Sequence, residues 1–580
     1  MPAAHVSETS GGRGKEEEPF EKGFFPLPPD PHPPFPKLFI RSVFRRLPPL
    51  PLFLILLGAA GFFLGMPNTV MHFPPLALLY PLCLYLLAGL AASGKQAFFH
   101  GWLLSLAANA AGLYWMVYPM HDVAGIPLAL AVPCVLPLFG YFACYGALSC
   151  LAMFNLRLLF AAPAPGSIRG MPSLLLPPLL GGLAFAGFEV LCGLLFTGFP
   201  WLSLSTAFGF SESWIQAASL VGAYGLSGLL ASAACLAAAD VLAFPDGRRA
   251  ALALGAILFL SLPGYGLLRL GESGPEPSGP PLPLLMVQGN IDQNQKWLPS
   301  FQKGTLEHYI TLSERALREL RNAEPWRKTG LVLWPETAMP FYFELHPDYA
   351  ETLYRFASDN RVALAFGSLG VLRRDARPAR LNNRLYLLSP SGKTSGYYDK
   401  RHLVPFGEYT PFSADIPFLR ELLQGMDFSP GSVTDPLPLS TDDGAYSLGV
   451  LICYEAIFPA LAQERVEHGA DILVNVSNDG WFRQSSAPWQ HLSHVALRTV
   501  EQARPALRAT NTGVTAVLDA RGRIQSRIAD LFTADTLAAT VEPSTEITVF
   551  HRIHPIPETA LAALALFSLF GYKLRKSHKR

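Results

Sequence analysis

Long apolar runs dominate the first half of the chain, where only short polar interruptions separate them. Each run approaches the ~20 residues that a helix needs to cross the hydrocarbon of a bilayer. Seven of these runs lie at about 48–65, 72–92, 97–118, 125–152, 173–196, 213–242 and 250–269. A shorter eighth run lies at about 557–572. The pattern predicts seven transmembrane helices within 45–270, and an eighth helix with a basic cytoplasmic tail within 557–580.

After a linker at 271–280 the apolar runs shorten to the length of β-strands. They lie at 284–288, 331–334, 362–367, 384–388, 447–452 and 472–477. Helical periodicity appears between them, at 304–322 and 486–503. Strands with intervening helices indicate a layered α/β domain, which we expect over 281–556.

The loops between the apolar runs predict the orientation in the membrane. Lys and Arg occur before the first run and in every second loop after it, whereas the loops at 66–71, 119–124 and 197–212 contain neither. Arg269 is the one exception. The positive-inside bias therefore places both termini in the cytoplasm and residues 271–556 on the extracytoplasmic face of a bacterial inner membrane. The polar, proline-rich stretch 1–44 lacks the apolar core of a signal peptide and is predicted to be a disordered tail.

Composition agrees with a membrane protein. Of 580 residues, 50% are hydrophobic and 15% are charged, whereas soluble domains are about 25% charged. The net charge of +1 gives no electrostatic reason to expect a nucleic-acid partner. Six of the seven cysteines lie in the apolar runs, so the α/β region holds only Cys453 and can form no internal disulfide.

Residues with catalytic chemistry follow three predicted strands or hairpins. Glu336 follows the run LVLW, Lys400 follows a hairpin, and Cys453 follows the run SLGVLI. Because the carboxyl ends of strands gather active-site residues in α/β sheets, these three side chains could converge. A thiol, a carboxylate and an ammonium supply a nucleophile, a base and an oxyanion stabiliser, which favours acyl transfer.

Each of these residues also has a simpler interpretation. Alone, Cys453 reads as a core thiol, Glu336 as a carboxylate at a helix N-terminus and Lys400 as a solvated hairpin residue. His491 and His494 lie three apart on a predicted helix. No carboxylate or cysteine cluster completes a metal site there, so we expect neither metal nor cofactor.

Several motifs carry a family resemblance. WPE at 334–336, YYDKRHLVPFGE at 397–408 and ICYE at 452–455 resemble the three catalytic segments of the nitrilase superfamily. GFPWL at 198–202, VQGNIDQNQKW at 287–297, SNDGWF at 477–482 and RATNTGVTAV at 508–517 narrow the resemblance. Together with the eight apolar runs, they make residues 45–575 similar to the bacterial apolipoprotein N-acyltransferases.

The resemblance implies an αββα nitrilase-like sandwich attached to a polytopic helical membrane domain. It implies a catalytic triad of Glu336, Lys400 and Cys453. Supporting roles fall to Glu408, Tyr454 and Glu455, and a substrate-lining role to Trp201, Trp297 and Trp481, although core packing also explains a tryptophan. Arg483 stands where the family generally has glycine, which leaves the local loop conformation open.

The implied reaction moves an acyl chain from a phospholipid to the α-amino group of a diacylglyceryl-cysteine at the N-terminus of a lipoprotein, through a thioester on the enzyme. The resemblance implies no cofactor, and we expect a monomer. Two alternatives stay open at this stage. A nitrilase-like amidase for small soluble amides would share the triad. A transporter would need ionisable residues in its apolar runs, where His100, Glu189 and Asp240 are nearly the only ones.

Overall fold

The computed structural model describes residues 49–160, 171–243, 249–272, 274, 276–321, 330–373, 380–410 and 428–577. The predicted N-terminal tail, 1–44, lies outside the described residues. Every one of the eight apolar runs forms a helix, and the fourth run extends further than the pattern indicates. The first seven are α1 Pro49–Gly65, α2 Leu79–Leu90, α3 Gly94–Gly112, α4 Leu128–Leu159, α5 Met171–Leu194, α6 Ala218–Ala243 and α7 Ala250–Gly271.

Within the described residues, four helical segments are long and apolar enough to cross a bilayer: Leu128–Leu159, Pro172–Thr197, Ala218–Leu242 and Ala250–Gly271. Three more apolar helices are shorter: Pro49–Gly65, Pro74–Leu90 and Ile556–Phe570. Glycines let these helices approach closely, since a Cβ at Gly182 would lie 2.2 Å from the backbone nitrogen of Ser232. The helices therefore form a packed membrane part, and a total of eight crossings stays a prediction.

Residues 282–541 form two six-stranded sheets that pack face to face. The first sheet has the order β12-β1-β2-β3-β4-β5 and the second the order β11-β10-β9-β8-β7-β6. The strands are β1 Leu282–Gln288, β2 Leu331–Leu333, β3 Ala363–Arg373, β4 Arg380–Leu388, β5 Thr394–Asp399, β6 Leu437–Ser440, β7 Ala445–Ile452, β8 Ile472–Ser477, β9 Ala506–Thr510, β10 Thr515–Leu518, β11 Ile524–Ile528 and β12 Asp535–Val541.

In the described part of the sandwich, four helices flank the sheets: α8 Pro299–Leu320, α9 Pro347–Asn360, α10 Pro459–Glu467 and α11 Ala487–Gln502. Leu306 of α8 and Leu353 of α9 pack on the outer face of the first sheet. Side chains such as Leu284 and Val474 fill the space between the sheets. These layers confirm the predicted αββα sandwich. The last described helix is α12, Ile556–Ser577.

Helix α11 joins the sandwich to the membrane part. The side-chain oxygen of Gln490 accepts hydrogen bonds from the indole nitrogens of Trp115, at 3.1 Å, and Trp201, at 2.8 Å. Its amide nitrogen donates to the carbonyls of Pro67 and Gly112, at 3.2 Å each. One buried amide thus connects α11 to three separate segments of the membrane part, so the sandwich is held against it by specific hydrogen bonds.

Candidate active site

The turn after β7 presents Cys453. Strand β7 ends buried at Ile452, and Cys453 takes a left-handed backbone conformation with φ of +52° before Pro459 begins α10. A non-glycine residue in that region costs about 1–3 kcal/mol and persists only where its surroundings hold it. The Cys453 residue is 9% exposed, so it is buried with a small part of its surface accessible.

Glu336 follows β2, and two donors hold its side chain in place. One oxygen accepts from the side-chain amide of Asn383 at 2.6 Å, and the other accepts from the backbone nitrogen of Asn478 at 2.8 Å. Each of its two oxygens therefore accepts a hydrogen bond from a different segment of the chain. Glu336 is therefore oriented as a proton acceptor.

Lys400 follows β5 and has no exposed surface. Its Nζ lies 2.9 Å from Glu408 and 3.6 Å from an oxygen of Glu336. Burial alone lowers the pKa of this ammonium, but the carboxylates of Glu408 and Glu336 outweigh burial and raise the pKa. Lys400 is therefore a fixed positive charge in the site.

The environment of Cys453 opposes its ionisation. Burial raises the pKa of the Cys453 thiol, and the nearby carboxylate of Glu336 raises it further, whereas Lys400 lowers it. The hydroxyl oxygen of Ser477 lies 3.4 Å from Sγ. A thiol in this setting needs a base beside it when it attacks, since only the thiolate is strongly nucleophilic. The three residues that the sequence predicts as a triad are thus brought together, with chemistry suited to acyl transfer.

Three further predicted residues connect the site to its surroundings. Glu408 accepts from Lys400 and from the backbone nitrogen of Val404 at 2.8 Å. Glu455 accepts from the backbone nitrogens of Ile452, at 2.7 Å, and Arg401, at 2.8 Å, so it ties the Cys453 turn to the Lys400 loop. Tyr454 donates to the carbonyl of Gly198 in the membrane part at 2.6 Å.

The three predicted tryptophans occupy different environments. Trp201 is 2% exposed, and it packs among aromatic side chains of the membrane part beside Tyr454. Its position makes it a contact between the two parts of the molecule, rather than an open wall of the site. Trp297 is half-buried against Leu403 and Tyr409, which flank Glu408. Trp481 is half-buried in the turn Asp479–Phe482. A substrate-lining role for Trp297 and Trp481 stays a prediction.

Arg483 adopts the conformation of a glycine. Its φ of 51° and ψ of −161° lie in a region that only glycine enters easily. Its guanidinium Nε lies 2.6 Å from Asp122, in the turn Pro119–Val123 between α3 and α4. The ion pair and the strained backbone together give a defined conformation to the loop that the sequence left open.

Sequence reasoning missed several polar residues around the site. Lys296 is buried against the segment that carries Glu336, with Nζ 2.6 Å from the hydroxyl of Thr337, and burial lowers its pKa to about 7. Asn383, Asn475 and Arg508 are buried within strands. A polar residue inside an otherwise apolar strand was the available signal, because such a group needs a partner once it is buried.

Family models and relatives agree with this architecture. Residues 58–236 match the apolipoprotein N-acyltransferase N-terminal domain, and residues 286–549 match the carbon-nitrogen hydrolase domain. The chain is 38% identical over 437 residues to an apolipoprotein N-acyltransferase of Geobacter metallireducens, covering 74% of this chain and 78% of that relative. It is 32% identical over 545 residues to one from Pseudomonas aeruginosa strain LESB58, covering 90% and 96%.

Among solved structures, a carbon-nitrogen hydrolase from Helicobacter pylori G27 matches at 16% identity with a TM-score of 0.34, covering 45% of this chain and 89% of that one. The two family models lie in the membrane part and in the sandwich respectively, in the same order as the two parts of this structure. The chain therefore belongs to the apolipoprotein N-acyltransferases, a family of acyltransferase enzymes.

Proposed function

We propose that this enzyme transfers an acyl chain from a membrane phospholipid to the α-amino group of the N-terminal diacylglyceryl-cysteine of a lipoprotein. The observation that carries the proposal is the position of the Cys453 turn against the membrane part. Tyr454, the next residue, donates to the Gly198 carbonyl, and its ring lies 6.1 Å from that of Phe199. Apolar side chains of the membrane part therefore contact the Cys453 turn, which supports a membrane lipid as the acyl donor.

The size of the hydrophobic effect supports a donor taken from the membrane. Burial stabilises an acyl chain by about 0.8 kcal/mol per CH₂, so moving about 16 carbons into water costs roughly 12 kcal/mol. An amidase for small soluble amides has no such constraint and no need for a membrane part. The architecture thus favours the lipid substrate over that alternative.

In the first half-reaction Glu336 takes the proton of the Cys453 thiol, and Sγ attacks the ester carbonyl of the phospholipid. Lys400 stabilises the resulting oxyanion. As the tetrahedral intermediate collapses, the ester C–O bond breaks and Glu336 returns its proton to the leaving lysophospholipid oxygen. The products are a thioester on Cys453 and a lysophospholipid.

In the second half-reaction the lipoprotein amine attacks the thioester. An α-amino group has a pKa of about 7.7–8.0 and is mostly protonated at pH 7, so only its neutral fraction attacks. Glu336 takes the proton that the amine loses and passes it to the departing Cys453 sulfur. Water must be kept from the thioester, because hydrolysis would make the enzyme a phospholipase.

Mass spectrometry of the acyl-enzyme tests the proposal. Purified protein mixed with a diacyl phospholipid should gain the mass of one acyl chain, release an equal amount of lysophospholipid and lose the adduct in hydroxylamine. A diacylated lipopeptide should remove the adduct and become triacylated. The matched control is the same phospholipid with ether-linked chains, which offers no ester carbonyl. Failure to form the adduct, or an equal adduct from the ether lipid, would contradict the thioester mechanism.

The topology is a second part of the proposal. We propose that residues 271–556 lie on the extracytoplasmic face and both termini in the cytoplasm, since basic residues cluster in every second loop. Reporter fusions at Gly279 and Arg580 are expected to score on opposite sides of the membrane. A fusion at Lys95, in a basic loop, is the control and should agree with Arg580. Equal signals from Gly279 and Arg580 would refute the arrangement.

A further inference from the structure

His491 contacts the backbone of Cys453 and is not one of the three residues predicted to form the triad. It lies on α11 and is fully buried. Its Nε2 lies 3.0 Å from the carbonyl oxygen of Cys453. Its Nδ1 lies 3.2 Å from the guanidinium of Arg508 and 3.4 Å from Asp479. In the sequence, this histidine is a candidate metal ligand with no further ligands beside it. The proposed acyl-transfer steps assign it no role.

The partners fix the protonation of His491. A carbonyl oxygen only accepts hydrogen bonds, so the contact with Cys453 places the proton of the neutral ring on Nε2, and Nδ1 accepts from the guanidinium of Arg508. The Nε2–H group then donates to the Cys453 carbonyl. Burial and the charge of Arg508 lower the pKa of His491, which keeps the ring neutral in this arrangement. His491 is therefore a directed donor to one backbone oxygen of the nucleophile.

Arg508 holds a second donor to the same oxygen. The side-chain amide of Asn475 lies 3.3 Å from the Cys453 carbonyl, and its own oxygen accepts from Arg508. The guanidinium is in turn fixed by Asp479 at 2.7 Å. That ion pair outweighs burial and lowers the pKa of Asp479 to about 2, so the carboxylate is charged at neutral pH. One buried ion pair thus orients both side chains that hold the Cys453 carbonyl.

The backbone of Cys453 needs such support. With φ of +52°, this residue occupies a conformation that is costly for any side chain with a Cβ. Rotation of its peptide units would relieve that cost and would turn Sγ away from Glu336 and Lys400. Two side-chain hydrogen bonds to its carbonyl oppose this rotation.

We propose that His491 and Asn475, both oriented by Arg508, are positioning residues that fix the Cys453 carbonyl and thereby aim its thiol at the acyl ester. The inference rests on the proposed role of Cys453 as the nucleophile. The same helix carries Gln490, which bonds the membrane part, so α11 is a rigid support for His491.

A pair of polar variants separates positioning from mere burial. The amide of Gln in His491→Gln reaches the position of Nε2 and keeps the bond to Cys453. The shorter side chain in His491→Asn can still accept from Arg508, but it cannot reach the Cys453 carbonyl. The control is His494→Asn, one turn along α11, because His494 is equally buried but bonds the carbonyl of Trp201 at 2.9 Å.

Two rates are measured at one pH: single-turnover acylation of Cys453 across a series of diacyl phospholipid concentrations, and alkylation of Cys453 by iodoacetamide. Since a displacement of about 1 Å can cost about 10²-fold, we expect His491→Asn to lower the saturating acylation rate by about 10- to 100-fold. The half-saturating lipid concentration should not change, and alkylation should slow as well. In His491→Gln and His494→Asn, both rates should stay within about threefold of the wild-type rates.

Acylation and alkylation at the wild-type rates in His491→Asn would overturn the inference, as would equal losses in His491→Asn and His494→Asn. If His491→Asn does not accumulate in the membrane, Asn475→Asp makes the same comparison. It retains an acceptor for Arg508 and removes the other donor to the Cys453 carbonyl. Wild-type rates of acylation and alkylation in Asn475→Asp would also overturn the inference. A wild-type protein that forms no thioester, but whose alkylation still depends on His491, would refute the proposed function and leave the positioning role intact.

Discussion

A Cys453→Ser protein is expected to fold and insert normally but to lose acyl transfer by about 10⁴-fold or more. The hydroxyl has nearly the shape of the thiol, so packing around the 9%-exposed side chain is preserved. A hydroxyl is a far weaker acid than a thiol, however, and burial together with Glu336 already opposes ionisation of the thiol. The carboxylate of Glu336 is too weak a base to make up that difference. Single-turnover acylation by a diacyl phospholipid measures the loss.

The matched control is Cys134→Ser, which makes the same exchange on helix α4, at an exposed position outside the site. It should acylate at the wild-type rate. Cys453→Ala should show the same loss as Cys453→Ser. A hydroxylamine-labile acyl adduct that persists in Cys453→Ala would remove Cys453 from the mechanism.

Lys400→Arg is expected to slow acylation of Cys453 by about 10²–10³-fold, the usual effect of losing one oxyanion donor, although the charge is retained. A compact ammonium fits between Glu408 and Glu336, at 2.9 and 3.6 Å. Lys400 has no exposed surface, so the larger planar guanidinium cannot occupy the same place without moving these carboxylates. The oxyanion would then face a displaced charge.

The measurement is single-turnover acylation by phospholipid, followed separately by a chase with a diacylated lipopeptide. Lys303→Arg is the control, because it makes the same exchange at a side chain that is 73% exposed on α8 and pairs with Glu307 in its own helix. Near-normal acylation in Lys400→Arg would exclude Lys400 from the oxyanion role and leave it a structural residue of the β5 hairpin.

The hydrogen bonds at Gln490 and Tyr454 explain why the two parts of the chain act together. Each of these residues, one on α11 and one beside the nucleophile, bonds to the membrane part. A movement between the two parts would therefore disturb both the Cys453 turn and the helix that carries His491. The hydrogen bonds of Gln490 and Tyr454 therefore couple the active-site geometry to the membrane part.

Among the strands, the apolar pattern predicted those with continuous apolar character and missed those without it. Strands β1–β4, β7 and β8 appear as short apolar runs, whereas β6 and β9–β12 were not predicted. Strand β9 is fully buried although it carries Arg508, and β12 has partly exposed residues. Strand β12 pairs with β1, with Leu282 opposite Val541. A strand of this kind is stabilised by a distant partner, so its own residues contain too little information to predict it.

The sequence by itself determined which segments are buried in the membrane part, which strands end in Glu336 and Cys453, and that a hairpin leads to Lys400. These features follow from local patterns, because a residue's position after an apolar strand is set by chain continuity. Only the tertiary structure decided which groups surround the thiol. Trp201, for example, donates to Gln490, 289 residues away. Asn383, Asn475, His491 and Arg508 are likewise ordinary polar residues in the sequence. Because each of them is buried, it needs a hydrogen-bond partner, and the packing of distant segments determines which group that is.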